Sequence, residues 1–319
     1  MFRRLFILAA VLLPLSAAAQ TYPSKPSRLI VTFAPGGGAD FVGRTVAQGL
    51  TDALGQSVVV ENRAGANGVI GADIAAKAAP DGYTLLLGAA GTMAVAPHLG
   101  EKLPFDPVND LIAVSLAATS PFALVVNKDV PVDSVQSLIA YAKANPGKLN
   151  FGSSGKGGAP HLAAELFASM AGIKMVHVPY RGLAPAIADL IAGQIQVLFA
   201  DVNLVASHVK AGTMKGLAVS GRTRSSVVPD IAPVAEAGVP GYAAGTWYGV
   251  YLPKGTPPEI VARVSSALQT VLSAPALRAT MAQQGVEAQW TSPAEFAAFV
   301  AADSAKWGKL IRDLGIKVD

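Results

Sequence analysis

The sequence predicts an α/β protein built as two lobes joined by crossing strands. Three observations lead there. Apolar runs of strand length alternate with helix-period stretches from residue 28 to about 250. Continuous apolar strands between helices mean parallel sheets covered on both faces. The strand–helix units fall into two sets, about 28–120 and 123–245, and each set contains a Gly/Ser-rich loop between a strand and a helix.

Taken along the chain, MFRRLFILAAVLLPLSAAAQ pairs Arg3 and Arg4 with the apolar stretch Leu5 to Leu15 and the small-residue site Ala17-Ala18-Ala19. This reads as a cleaved secretory signal over residues 1–19, since a membrane span would need ~20 apolar residues. The mature protein is expected outside the cytoplasm. Without the two signal arginines, Lys+Arg falls from 25 to 23 against 21 acidic residues, so the net charge drops from +4 to +2. Such a weak bias, with no Lys/Arg run interleaved with aromatics, argues against nucleic acid as a partner. With no cysteine, disulfides, thiolate metal sites and cysteine nucleophiles are excluded.

Strands are expected at Leu29–Phe33, Val58–Val60, Thr84–Leu87, Leu124–Val126, Leu149–Phe151, Met175–Val178, Ile195–Phe199 and Gly216–Val219. Helices are expected at His161–Met170, carrying Leu162, Leu166 and Met170, and at Leu183–Ala192, carrying Ile187 and Leu190 at helical spacing. The segment PGYAAGTWYGVYLPKGTP (240–257) leads to terminal helices opened by two capping boxes, Thr256-Pro-Pro-Glu259 and Ser292-Pro-Ala-Glu295. Their stripes, Ile260, Val264, Leu268 and Val271, then Phe296, Phe299, Trp307, Leu310 and Leu314, are packing residues.

Enzyme motifs fail on inspection. A dinucleotide fingerprint starting at Gly36 needs glycine where Phe41 stands, and no Walker A sequence occurs, so no nucleotide cofactor is expected. His98, His161, His177 and His208 lack metal-ligand spacing. Ser153 or Ser154 with His161 could form a hydrolase pair, but Lys156 stands where a nucleophile elbow needs its second glycine. What remains is the pair of loops, Ala34–Asp40 and Gly152–Pro160. Each precedes a helix, whose unpaired N–H groups and positive dipole end suit an anion.

The motifs "YPSKP", "FAPGGGADFVGR", "VVVENRAGANGVIGADIAAKAAPDGYTLLLG", "FGSSGKGGAPHLAAELF", "VPYRGLAPAIADLIAGQIQ", "EAGVPGY" and "WYGVYLPKGTP" occur in order along the mature chain. In these the sequence resembles the Bug family, the extracytoplasmic binding subunits of tripartite tricarboxylate transporters. The resemblance implies a type II, Venus-flytrap periplasmic binding protein with two crossover strands. Lobe 1 would comprise residues 22–122 plus 247–319, and lobe 2 residues 123–246. It implies a non-enzymatic, monomeric protein that closes on a small carboxylate and delivers it to membrane permease subunits. The ligand-binding positions it implies are Phe33, Ala34, Pro35, Gly36, Gly37, Ala39 and Asp40, with Gly91 and Thr92 adding to that wall. From the second lobe come Ser153, Ser154, Gly157, Gly158, His161, Tyr180 and Asp201.

Several of these have two readings. Asp40 is an N-cap or meets an amine or hydroxyl of the ligand. Asp201 reads a polar group of the ligand or is a surface acid. Arg181 pairs with a second carboxylate or lies exposed. Trp247 and Tyr248 form cleft floor or hinge. The chain departs from the family at Gln196, where an acid is usual, and at Gly43, where alanine is usual.

Overall fold

The computed structural model describes residues 22–316 except Glu101 and Arg181. The signal-peptide segment and Arg181 therefore lie outside the described residues.

The chain builds strands β1 Ser27–Val31, β2 Val58–Asn62, β3 Thr84–Ala89, β4 Leu111–Ser120, β5 Phe122–Asn127, β6 Asn150–Ser153, β7 Val176–Pro179, β8 Val197–Asp201, β9 Met214–Val219, β10 Thr246–Pro253 and β11 Glu287–Ala288. Between and after them run helices α1 Gly38–Leu54, α2 Val69–Ala76, α3 Val135–Ala144, α4 Ala159–Ala171, α5 Leu183–Ile191, α6 Val202–Lys210, α7 Pro258–Ser273, α8 Pro275–Ala282 and α9 Pro293–Leu314. The strands form a six-stranded sheet, β11-β4-β10-β3-β1-β2, and a five-stranded sheet, β7-β6-β8-β5-β9.

The expectation of parallel sheets is corrected. β1 pairs in parallel with β2 and β3, and β6 with β7 and β8, but β10 is antiparallel to both β3 and β4. β5 is antiparallel to β8 and β9. The reversed strands are those flanking the passages between sheets, where the chain enters one lobe from the other instead of through a helical crossover. β4 and β10 were also not expected as strands. Both are buried along most of their length, so neither shows the alternation of a half-exposed strand.

Pairing places the binding loops relative to the passages. β10 sets Tyr248 opposite Ala89 at the end of β3 and Thr246 opposite Ser120 at the end of β4. After Pro121, β5 begins with Phe122 opposite Asp201, the last residue of β8. The carboxyl ends of the parallel strands in both sheets therefore meet at the passages, where ligands of open α/β sheets bind.

Ser220 binds the two passages together. Its N–H donates to Phe122 O (2.7 Å), and its carbonyl accepts from Ala244 N (2.9 Å). Its hydroxyl accepts from Phe122 N (2.8 Å) and donates to Ala244 O (2.7 Å), all without solvent exposure.

Helix chemistry explains the rest. α1 buries Val42, Val46, Leu50 and Leu54 at four-residue spacing and ends at Gly55 in the left-handed region, φ 71°. The Ser292–Glu295 capping box forms, with Glu295 N donating to Ser292 Oγ (3.3 Å) and Ser292 N to Glu295 Oε2 (2.8 Å). The Thr256 box does not. α7 starts at Pro258 with Pro257 as N-cap, and the Thr256 hydroxyl turns back to Pro253 O (2.8 Å). Trp307 and Leu310 of the α9 stripe are buried, whereas Leu314 is 42 % exposed where the helix runs past the core.

Candidate functional site

In the first lobe, β1 delivers Ala34–Gly38 as an exposed loop, while Ala39 and Asp40 are buried in the opening turn of α1 and Phe33 is half-buried behind it. The N-cap is Gly37, not Asp40, so the capping reading of Asp40 is corrected by three positions. Asp40 sits inside the first turn and its carboxylate folds back on the loop. Oδ2 accepts from Gly36 N–H and Arg44 Nε, each at 3.0 Å, and Oδ1 accepts from Asn62 Nδ2 at 2.9 Å. Asn62 Nδ2 also donates to Phe33 O (3.0 Å), so one amide ties both ends of the loop. Burial alone would raise the acid, but Arg44, Gly36 and Asn62 outweigh it and bring Asp40 down to about 2. The side chain is an ionised loop brace whose acceptors are taken from within its own lobe.

That arrangement decides which donors point outward. Phe41 N–H returns to Gly37 O, and Gly36 N–H is held by Asp40. The N–H groups of Gly38, Ala39 and Asp40 precede the first intrahelical bond and have no intrahelical acceptor. Gly36 has φ +87°, the left-handed region a side chain disfavours; Gly37 is extended, at φ −92° and ψ 177°. A Cβ on Gly38 would lie 3.1 Å from the Tyr248 hydroxyl, so β10 forms the floor beneath the loop.

Gly91 and Thr92 are buried behind this wall. The Thr92 hydroxyl donates to Asn67 O (2.7 Å) and anchors the turn Gly65–Gly68. In that turn Ala66 and Asn67, at φ 46° and 50°, hold the left-handed conformation between two positive-φ glycines. The sequence carried this turn as part of a motif, but nothing in residue type marked two adjacent non-glycine residues as left-handed.

In the second lobe, β6 delivers Ser153 and Ser154 into the loop before α4. Here too a side chain organises the backbone. Gly157 N–H donates to His161 Nδ1 (3.0 Å), Gly158 N–H to Gly155 O (3.2 Å) and Gly155 N–H to Ser153 Oγ (3.1 Å). The N–H groups of Gly157 and Gly158 are therefore committed within the loop. Pro160 contributes none. Ala159 and His161 N–H remain at the helix start, because Leu162 N–H is the first to return, to Gly158 O (3.1 Å).

His161 does not meet Ser153. The Ser153 hydroxyl lies 2.6 Å from Nε2 of His177, a residue not expected at the site, and is fully buried. His177 stacks on His161 with ring centroids 3.9 Å apart and on Phe151 at 5.0 Å. Burial, then the facing His161 and Lys156, holds His177 down at about 4. A serine closed from solvent beside so weak a base is a poor nucleophile.

Tyr180 turns away, its hydroxyl donating to Asp189 Oδ2 (2.7 Å) on α5; burial and that carboxylate push it up to about 12. Asp201 is the sharper finding. It opens α6 without a side-chain capping bond and stands opposite Phe122 beside the passage. It is partly open to solvent yet closely surrounded by protein, and that burial raises it to about 6. The same acid acts across the lobes on Tyr248, whose phenol burial keeps protonated. Tyr248 thus belongs to the cleft floor, whereas Trp247, its neighbour, points to α9, where it packs on Phe296 and donates to Asp303 (2.8 Å).

The departures have local effects. A Cβ at Gly43 would come within 2.5 Å of Val31 Cγ2, so α1 sits closer to β1 than alanine permits. Gln196 accepts from Asn150 N (3.0 Å), joining β8 to β6. Cavities of about 510 Å³, at Pro97–Asp110, and about 660 Å³, lined by Trp247 and Phe299, lie apart from both loops, and none of the expected ligand-binding residues lines either.

Residues 42–316 match the family model described as tripartite tricarboxylate transporter family receptor. Protein BugT of Bordetella pertussis is 37 % identical over 311 residues, covering 97 % of this chain and 95 % of that protein. R. palustris Rpa4515 with adipate superposes with a TM-score of 0.82 at 34 % identity, over 93 % of this chain and 99 % of that one. MatC from Rhodopseudomonas palustris with bound malate gives 0.77 at 29 % identity, over 91 % of this chain and 100 % of that one.

Proposed function

The chain belongs to the tripartite tricarboxylate transporter receptor family, the Bug-type binding proteins, and from that membership we propose that it captures a small carboxylate-bearing metabolite in the periplasm and hands it to tripartite tricarboxylate-type permease subunits. The observation that carries this is the pair of braced loops. Each is a helix start whose outward N–H groups are unspent while its internal ones are locked by a side chain, Asp40 in one lobe and His161 in the other. Main-chain donors held in that way suit a carboxylate, and two relatives of this fold hold adipate and malate.

Asp201, raised by burial and without a bonded partner among the described residues, supplies the opposite preference at the passage end. We assign it to a hydroxyl, a protonated acid or an amine of the ligand, which gives the site polarity along its length. Residues 22–121 with 246–319 would move as one lobe and 122–245 as the other, one residue from the boundaries expected from sequence because Phe122 pairs with Asp201 in one sheet and Thr246 with Ser120 in the other, the ligand favouring closure through its contacts to both. The protein would act as a monomer without turnover.

A thermal-shift panel of mono-, di- and tricarboxylates and amino acids, read beside mass spectrometry of molecules retained on purification, tests the reading. At least one carboxylate should raise Tm and be recovered unchanged. Product release from it, or stabilisation only by ligands lacking a carboxylate, would overturn the proposal.

A further inference from the structure

We infer that His161 and His177 are positioning residues for the second binding loop, and that the loop keeps its ligand-binding shape only while His161 Nδ1 carries no proton. This deepens the carboxylate-binding reading and rests on it. The geometry is direct. His161 is 4 % exposed, and its Nδ1 is the acceptor for Gly157 N–H at 3.0 Å. An acceptor at Nδ1 requires the neutral ring with its proton on Nε2, the nitrogen 3.5 Å from Glu165 Oε1 on the next turn of α4. Once protonated, imidazole has two N–H groups and no acceptor. Gly157 N–H would then face another N–H, and the turn would have to open.

The surroundings reinforce the requirement. On β7 the His177 ring lies 3.9 Å away in a stack, so a charge on one ring opposes a charge on the other. On β6 the Phe151 ring lies beside both, 6.0 Å from His161 and 5.0 Å from His177. From the loop, Lys156 acts on His177 with the same sign. Glu165 is the group that favours a charged His161, and the acceptor role toward Gly157 opposes it. His177 completes the platform by holding the Ser153 hydroxyl, which itself accepts Gly155 N–H and donates to Gly155 O (3.0 Å). With the hydroxyl proton given to Gly155 O, His177 Nε2 is the donor to Ser153, so the loop from Ser153 to Gly158 takes its shape from both rings and its acid sensitivity from His161 alone. Acid would weaken ligand binding by disordering these main-chain donors.

The test starts without ligand. Nitrogen-15 NMR of the imidazoles at roughly pH 8 should place the His161 proton on Nε2, and wherever acid protonates that ring the Gly157 amide should shift with it. In His161→Asn, whose Oδ1 can stand near the position of Nδ1 and does not titrate, the Gly157 amide should stay constant. A proton on Nδ1, or the same Gly157 titration in both proteins, overturns the inference whatever the protein binds. Calorimetry with adipate supplies the second arm. Acidification should weaken binding about tenfold more in the wild type than in His161→Asn, the order expected for one lost hydrogen bond. Equal weakening also overturns the inference, whereas no adipate binding in either protein bears on the ligand class alone and the NMR result decides.

Discussion

Asp40 shows how much of this site is architecture made by single side chains. Its three accepted bonds, from Gly36, Arg44 and Asn62, make it a brace, and Asp40→Asn or Asp40→Ala should cost about 1–3 kcal/mol by leaving those donors unpaired. Because the folded carboxylate titrates at about 2, below its ordinary 3.8, its contribution is complete above the ordinary value and is lost as pH falls through the interval between them. Chemical denaturation across that interval should show the wild type losing stability that Asp40→Asn never had. The glycines separate by backbone. Gly37 is extended with only Ala34 O near its missing Cβ, at 3.9 Å, so Gly37→Val should cost no more than a poorer N-cap, about 1 kcal/mol, while weakening ligand binding at least about tenfold. Unchanged affinity by calorimetry would remove the loop from the site. Sequence supplied the candidates here but not the division of labour. Residue types named Asp40, Gly157 and His161, yet which donors face outward depends on bonds four residues apart, and the partnership of Ser153 with His177 crosses 24 positions between neighbouring strands.

At the scale of elements, local chemistry was legible where it is local. The Ser292–Glu295 box follows from four adjacent residues, and Ser292→Ala should lower stability by about 1 kcal/mol, about 2–4 °C in Tm, measured by calorimetry. Thr256 has the same signature, but two consecutive prolines move the helix start and its hydroxyl finds Pro253 instead. Strand direction was not legible, because a buried antiparallel strand and a buried parallel one carry the same apolar run. β10 hides further behind its Gly249, which reads as a strand breaker. A Cβ there would fall 1.9 Å from Phe296 Cζ, so the glycine exists to seat α9 on the sheet. Gly249→Ala should cost about 1–3 kcal/mol or more through overpacking, with thermal denaturation as the check.

For the whole molecule, two lobes and two loops could be inferred from the repetition of a strand, a small-residue loop and a helix. Their meeting at the passages needed the pairing of Tyr248 with Ala89 and Phe122 with Asp201, contacts no local pattern encodes. A stabilising carboxylate should draw the lobes together, and small-angle scattering should show a smaller radius of gyration on its addition; an unchanged radius would count against closure. The buried clasp of Ser220 gives that motion its form. Because Phe122 and Ala244 are both fastened to one serine, and Thr246 is already paired with Ser120 in the other sheet, the proposed closure would bend at Pro121 and Gly245. Two loosely parallel tethers would permit twist, slide and sway. A pair pinned at one point would leave a single axle, so the proposed capture would reduce to one angle.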